Sequence, residues 1–145
     1  MKNYCITFIL FSITFLSYSQ TFDQKIEDLI NENLYETIEL RHWFHQNAEL
    51  SNREFKTAAR IEEELKKIGY KPMTGIAKTG VVAILNPGKP GPVVGLRADI
   101  DALPVKERAD IPWASKMKGV YNGEEVPVMH ACGHDMHTAI LLAAA

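Results

Sequence analysis

An α/β fold is predicted by three observations. Two segments in the first half repeat apolar residues at helical spacing. Two short β-branched runs, closed or flanked by proline and glycine, come next. A histidine-rich motif then leads into an almost wholly apolar helical segment.

Residues 1–19 stand apart from the rest. Lys2 supplies a short positive region, residues 5–16 are apolar except for Ser and Thr, and Ser17 and Ser19 place small residues at the −3 and −1 positions of a cleavage site before Gln20. This pattern is that of a secretory signal peptide, too short in its apolar part for a stable membrane span. Its removal predicts a secreted or periplasmic protein beginning at Gln20; the alternative is an uncleaved N-terminal anchor.

The first helix is predicted from a cap at Asp23 to about His45, with Ile26, Leu29, Ile30, Leu34, Ile38 and Leu40 at helical spacing. "NAELSN" breaks it. Asn52 is the expected cap of a second helix running through Ile68, its buried stripe Phe55, Ala58, Ala59, Ile61, Leu65 and Ile68, with Gly69 as the stop. The runs "GVVAILNPG" and "PVVGLRADID" read as strands, joined through "NPGKPGP" as a hairpin or a longer loop. Residues 104–127, punctuated by Pro104, Pro112, Gly119, Gly123 and Pro127, read mostly as loop. "MHTAILLAAA" begins a helix after Asp135. An apolar helix at the end of the chain, and a sheet with too few strands to cover its own faces, predict the N-terminal piece of a larger α/β protein.

Sixteen Lys and Arg against eighteen Asp and Glu give a net charge of −2, with no basic stretch studded with aromatics. Nucleic acid is therefore not an expected partner. Of the two cysteines, only Cys132 remains once the signal peptide is removed, so an internal disulfide is excluded. It can be a small buried residue, a reactive thiol or a metal ligand.

Cys132 lies in "VMHACGHDMH". Cys132 and His134 flank Gly133, and in an extended or loop backbone two such residues can face the same side. Thiolate and imidazole suit zinc and related divalent ions. The N-terminus of the following helix would favour a thiolate beside it. Asp99 and Asp101 alternate with Ala98 and Ile100 at the end of the second strand-like run. That is a usual place for active-site groups in open α/β sheets, where one carboxylate can orient a ligand histidine. They can equally be solvated loop carboxylates, with Arg97 as a salt-bridge partner. His42 and His45 suit the C-terminal end of a helix when protonated, and their spacing of three permits metal binding without requiring it. His130 and His137 carry no spacing that selects a role.

Together, "RHWFHQNAELSNREFKTAARIEEELKKIGY", "TGVVAIL", "GPVVGLRADIDALPVKE" and "MHACGHDMHTAILLAAA" resemble the opening of the metal-dependent amidohydrolases. The branch resembled contains hippurate hydrolase, auxin-conjugate hydrolases and N-acyl-amino-acid deacylases, relatives of the carboxypeptidase and aminoacylase peptidases. The likeness covers roughly residues 35–145, and its most specific parts are R-A-D-x-D-A-L-P and H-A-C-G-H-D. It implies that residues 20–145 are the N-terminal part of an α/β catalytic domain holding two divalent metal ions (Zn, Mn, Co or Ni). The rest of that domain and a dimerisation domain would lie outside this sequence, and the full-length protein would be a homodimer.

The resemblance further implies that Cys132 and His134 are metal ligands. A general-base glutamate is expected beyond Ala145; Glu124-Glu125 precedes the motif and does not match the family's pair. The reaction implied for the full-length protein is hydrolysis of the amide bond of N-acyl amino acids or small peptide-like conjugates, with these residues alone inactive. The competing readings are a non-catalytic metal- or partner-binding fragment of a degenerate homologue, and, last, a redox protein, which would lack a resolving cysteine.

Overall fold

The computed structural model describes residues 3–86 and 88–145, with side chains from residue 22 onward. The chain divides into two units, residues 1–36 and 37–145.

Helix α1 spans Asn3–Gln46. It does not begin at Asp23, because no glycine or proline interrupts residues 3–46 and nothing in that stretch ends a helix. The positive region at Lys2 lies outside the described residues. Among the described residues, no helix is long and apolar enough to cross a membrane. In the first unit Phe22, Ile26, Leu29, Ile30 and Leu34 are exposed.

Everything that positions the motif lies in the second unit. After α1 the chain turns through Asn52, whose φ is +62°. Asn52 is not a cap. Helix α2 spans Phe55–Lys67, and its free N–H groups are satisfied by Glu49, whose carboxylate accepts from the amides of Lys56 (3.2 Å) and Thr57 (2.8 Å) and from the Thr57 hydroxyl (2.9 Å). A carboxylate there also suits the helix dipole. The buried face is Thr57, Ala58, Ile61 and Leu65. Phe55, Ala59 and Ile68, expected in that stripe, are exposed. Gly69 does stop the helix: at φ +95° it lets Tyr70 N–H reach Leu65 O (2.9 Å) and Gly69 N–H reach Lys66 O (3.1 Å), which is the Schellman arrangement.

The strands depart from expectation. β1 (Met73–Ile76) pairs antiparallel with β2 (Gly80–Val82), so the first β-branched run finds its partner upstream. The second run, residues 92–101, is in no sheet among the described residues, and Val93, Val94 and Leu96 are exposed. A β-branched run becomes a strand only where a neighbouring backbone supplies its hydrogen bonds. That happens only just beyond its end. Ala102 makes an isolated parallel bridge with Leu50, and Leu103 an antiparallel one with Met129.

The segment read as loop holds a hairpin, β3 (Lys118–Tyr121) paired with β4 (Glu124–Pro127). Asn122 and Gly123 join the strands at φ +52° and +87°, as a two-residue turn between right-twisted strands requires. Helix α3 spans His134–Ala143 and starts two residues before its predicted start at Met136, on Gly133 at φ +83°.

Two apolar clusters fix these pieces. Phe44, Ile61 and Leu65 gather Leu40, Trp43, Tyr70, Val81, Ile100 and Leu142, joining α1, α2, β2 and α3. Ala48, Leu50, Ala102 and Val128 form the other, with Met117 against it. Residues next to Asp101 and just before the motif are thus core residues. The chemistry-bearing segments leave the core from fixed points.

Candidate metal centre

His134 is the first residue of α3, and its ring is held from behind. Nδ1 lies 2.9 Å from the main-chain oxygen of Asp101 and 3.1 Å from Asp101 Oδ1. A carbonyl oxygen can only accept, so Nδ1 carries the proton and the neutral ring keeps its lone pair on Nε2. This is how ligand histidines are oriented in metal sites. Cys132, on the other side of Gly133, is exposed. The turn thus offers one thiol and one imidazole of fixed tautomer. Among the described residues, no group of three or more His, Cys, Asp or Glu side chains could hold a metal ion. The donors present fit half of a divalent site.

Asp99 and Asp101 are not equivalent. Asp101 meets His134, while Asp99 is exposed and paired with Arg97 (2.7 Å), the partner allowed for in the sequence. That guanidinium holds the Asp99 carboxyl below its ordinary range. The Asp99 main chain contributes instead, accepting from the hydroxyl of Thr138 on α3 (3.2 Å).

His42 stacks on Trp113 at 3.8 Å between ring centroids and lies 3.5 Å from Glu39. His137 is exposed, its ring 6.2 Å from that of His134. His130 is buried with neither ring nitrogen hydrogen-bonded, and burial pushes its pKa down to about 4. Glu124 and Glu125 lie on exposed β4, Glu125 paired with Lys118 (2.8 Å).

One cluster went unread in the sequence. His45 is buried, with Nδ1 2.9 Å from Asp135 Oδ2 and Nε2 2.7 Å from Glu107 Oε2; Arg41 Nε donates to the same Asp135 oxygen at 3.1 Å. An imidazolium serves both carboxylates at once, whereas a neutral ring can donate to only one. No periodicity links residues 62, 90 and 94 positions apart, so only their residue types could have hinted at the cluster.

The arrangement has relatives. Residues 95–145 match the family described as peptidase family M20/M25/M40. An N-acetyl-L-cysteine deacetylase of Bacillus subtilis is 48% identical over 108 residues, covering 74% of this chain and 24% of that protein. A hippurate hydrolase of Campylobacter jejuni is 45% identical over 106 residues, covering 73% of this chain and 26% of that protein. A solved structure described as a dinuclear metal binding peptidase from the M20 family, also of Bacillus subtilis, is 38% identical with a TM-score of 0.65, over 74% of this chain and 28% of its own. The chain spans about a quarter of the length of the curated relatives it matches. Sequence and fold agree, and the segment that matches peptidase family M20/M25/M40, residues 95–145, contains Asp99, Asp101, Cys132 and His134.

Proposed function

We propose that this chain supplies part of the metal centre of a hydrolase acting on the amide bond of N-acyl amino acids or small peptide-like conjugates. The observation that carries the reading is the hydrogen bond from His134 Nδ1 to the Asp101 carbonyl, which leaves Nε2 free to bind a cation two residues from a thiol. Relatives named as an N-acetyl-L-cysteine deacetylase and a hippurate hydrolase support the substrate class.

Cys132 and His134 would hold a divalent ion, with further donors from outside residues 1–145. A divalent ion supplies Lewis-acid polarisation of the amide carbonyl and a more acidic bound water. Asp101 keeps the proton on the remote nitrogen of His134, so that the near nitrogen stays a donor to metal. Gly133, at φ +83°, turns the chain between the two candidate ligands. A carboxylate general base completes such chemistry, and the family resemblance puts it downstream of His134. Export through residues 1–19 belongs to the same proposal, and intact mass of exported protein starting at Gln20 tests it; retention of residues 1–19 contradicts it.

Metal analysis after dialysis, together with hydrolysis of an N-acyl amino acid panel, tests the centre. In the full-length protein Cys132→Ala and His134→Ala should each lose metal and lose turnover together. Unchanged metal content in both variants returns Cys132 to an exposed thiol without a ligand role. Metal bound without turnover of any substrate favours a non-catalytic binding protein, the reading consistent with only two donors on this segment.

A further inference from the structure

The candidate ligands stand on a turn that is not secured locally. Gly133 is the N-cap of α3, and no side chain caps that helix. Its first turn is held from a distance instead. Asp135, 2% exposed, puts one oxygen against both His45 Nδ1 and Arg41 Nε. The other nitrogen of His45 meets Glu107, and Glu107 is anchored through its second oxygen to the amides of Arg108 and Ala109, each at 2.9 Å. A continuous line therefore runs from the main chain at residues 108–109 through Glu107, His45 and Asp135 to the first turn of α3. His134 is the residue before Asp135. Buried charges of this kind hold a fixed geometry because each loses its solvation unless every partner is in place.

We propose that His45 is a positioning residue for the candidate metal turn: by bridging Glu107 and Asp135 it fixes the first turn of α3, and with it the imidazole of His134. The inference rests on the metal-centre reading above. It separates two contacts of one ring. The Nδ1 side, toward Asp135, governs the donors, whereas the Nε2 side, toward Glu107, serves mainly to hold His45 itself.

The two contacts can be removed one at a time. In His45→Asn the side-chain amide nitrogen takes the place of Nδ1 and keeps the bond to Asp135. In His45→Gln it takes the place of Nε2 and keeps only Glu107. Metal-free full-length protein is titrated with Co²⁺, with the near-ultraviolet thiolate-to-cobalt band reporting Cys132 and circular dichroism reporting the fold. His45→Gln should weaken Co²⁺ binding by about 10- to 100-fold, as removal of a group behind a ligand typically does, while His45→Asn stays close to wild type. Asp135→Asn, which keeps the side-chain volume, should weaken binding like His45→Gln and covers the case in which the glutamine variant does not fold. Folded His45→Gln binding Co²⁺ as wild type does, or equal weakening in the asparagine and glutamine variants, overturns the positioning role alone. Wild-type protein without a cobalt band that Cys132→Ser abolishes overturns the metal centre itself, and the positioning role falls with it.

Discussion

Asp101 grips His134 twice, through its main-chain oxygen at 2.9 Å and its carboxylate at 3.1 Å from the same ring nitrogen. The two contacts differ in what a mutation can remove. Asp101→Ala deletes the carboxylate but leaves the carbonyl, so the tautomer of His134 survives. The expected loss of metal affinity is therefore about 10-fold, the low end of the range for groups behind a metal ligand. Equilibrium dialysis of the full-length variant checks this, and a loss far beyond that range means the carboxylate also touches the ion.

Asp99→Asn should behave differently. Its partner Arg97 is exposed with it, and exposed pairs contribute little. Stability should stay close to that of wild type, and so should metal affinity. A severe loss of metal in Asp99→Asn, read by the same dialysis, contradicts the placement of Asp99 outside the site.

Acid should weaken the fold through Glu107. The amide of Ala109, followed by His45, lowers the pKa of this carboxyl from its ordinary 4.5. Between that ordinary value and the lowered one, the unfolded chain binds a proton that the folded chain does not. Stability from Glu107 is thus complete above pH 4.5 and lost as the pH falls through the lowered value. Urea midpoints measured from pH 6 down to pH 3 should fall more steeply for wild type than for Glu107→Gln; parallel curves contradict the assignment.

Gly119→Ala tests the packing of the β3–β4 hairpin on the second cluster. A Cβ at Gly119 would lie 2.9 Å from Leu50 Cδ1 and 3.3 Å from Val128 Cγ2. Both neighbours belong to that core, so the added methyl must displace one of them, at a cost of about 1–3 kcal/mol. Thermal unfolding measures it, and an unchanged midpoint means that Leu50 swings aside freely.

What could be read from the sequence was what is decided locally. Gly69 ends α2 because a left-handed residue closes a helix whatever surrounds it. The Cys132–His134 turn and the helix after it follow from ten consecutive residues. The second β-branched run failed as a strand because pairing is a property of two segments, and the bridges begin only beyond residue 101, at Ala102 and Leu103. Asn122-Gly123 was a readable hairpin turn, lost among the prolines around it. His45 could be read only as a histidine at a helix end, since its contacts are with Glu107 and Asp135, which only the fold brings to it.

The distance along the chain between His45 and Asp135 also sets a timetable. Ninety residues separate them, and ribosomes add about 5–20 residues per second. His45 therefore leaves the ribosome roughly 5–18 s before the carboxylate that completes its surroundings. For that interval the imidazole of His45 lacks its Asp135 partner, and the cluster around Phe44 lacks Leu142. On stalled ribosomes, nascent chains that expose residues up to 125 should leave His45 open to imidazole-modifying reagents, and chains that expose Asp135 should protect it. During synthesis, then, the end of α1 waits on the first turn of α3 for the last of its buried partners.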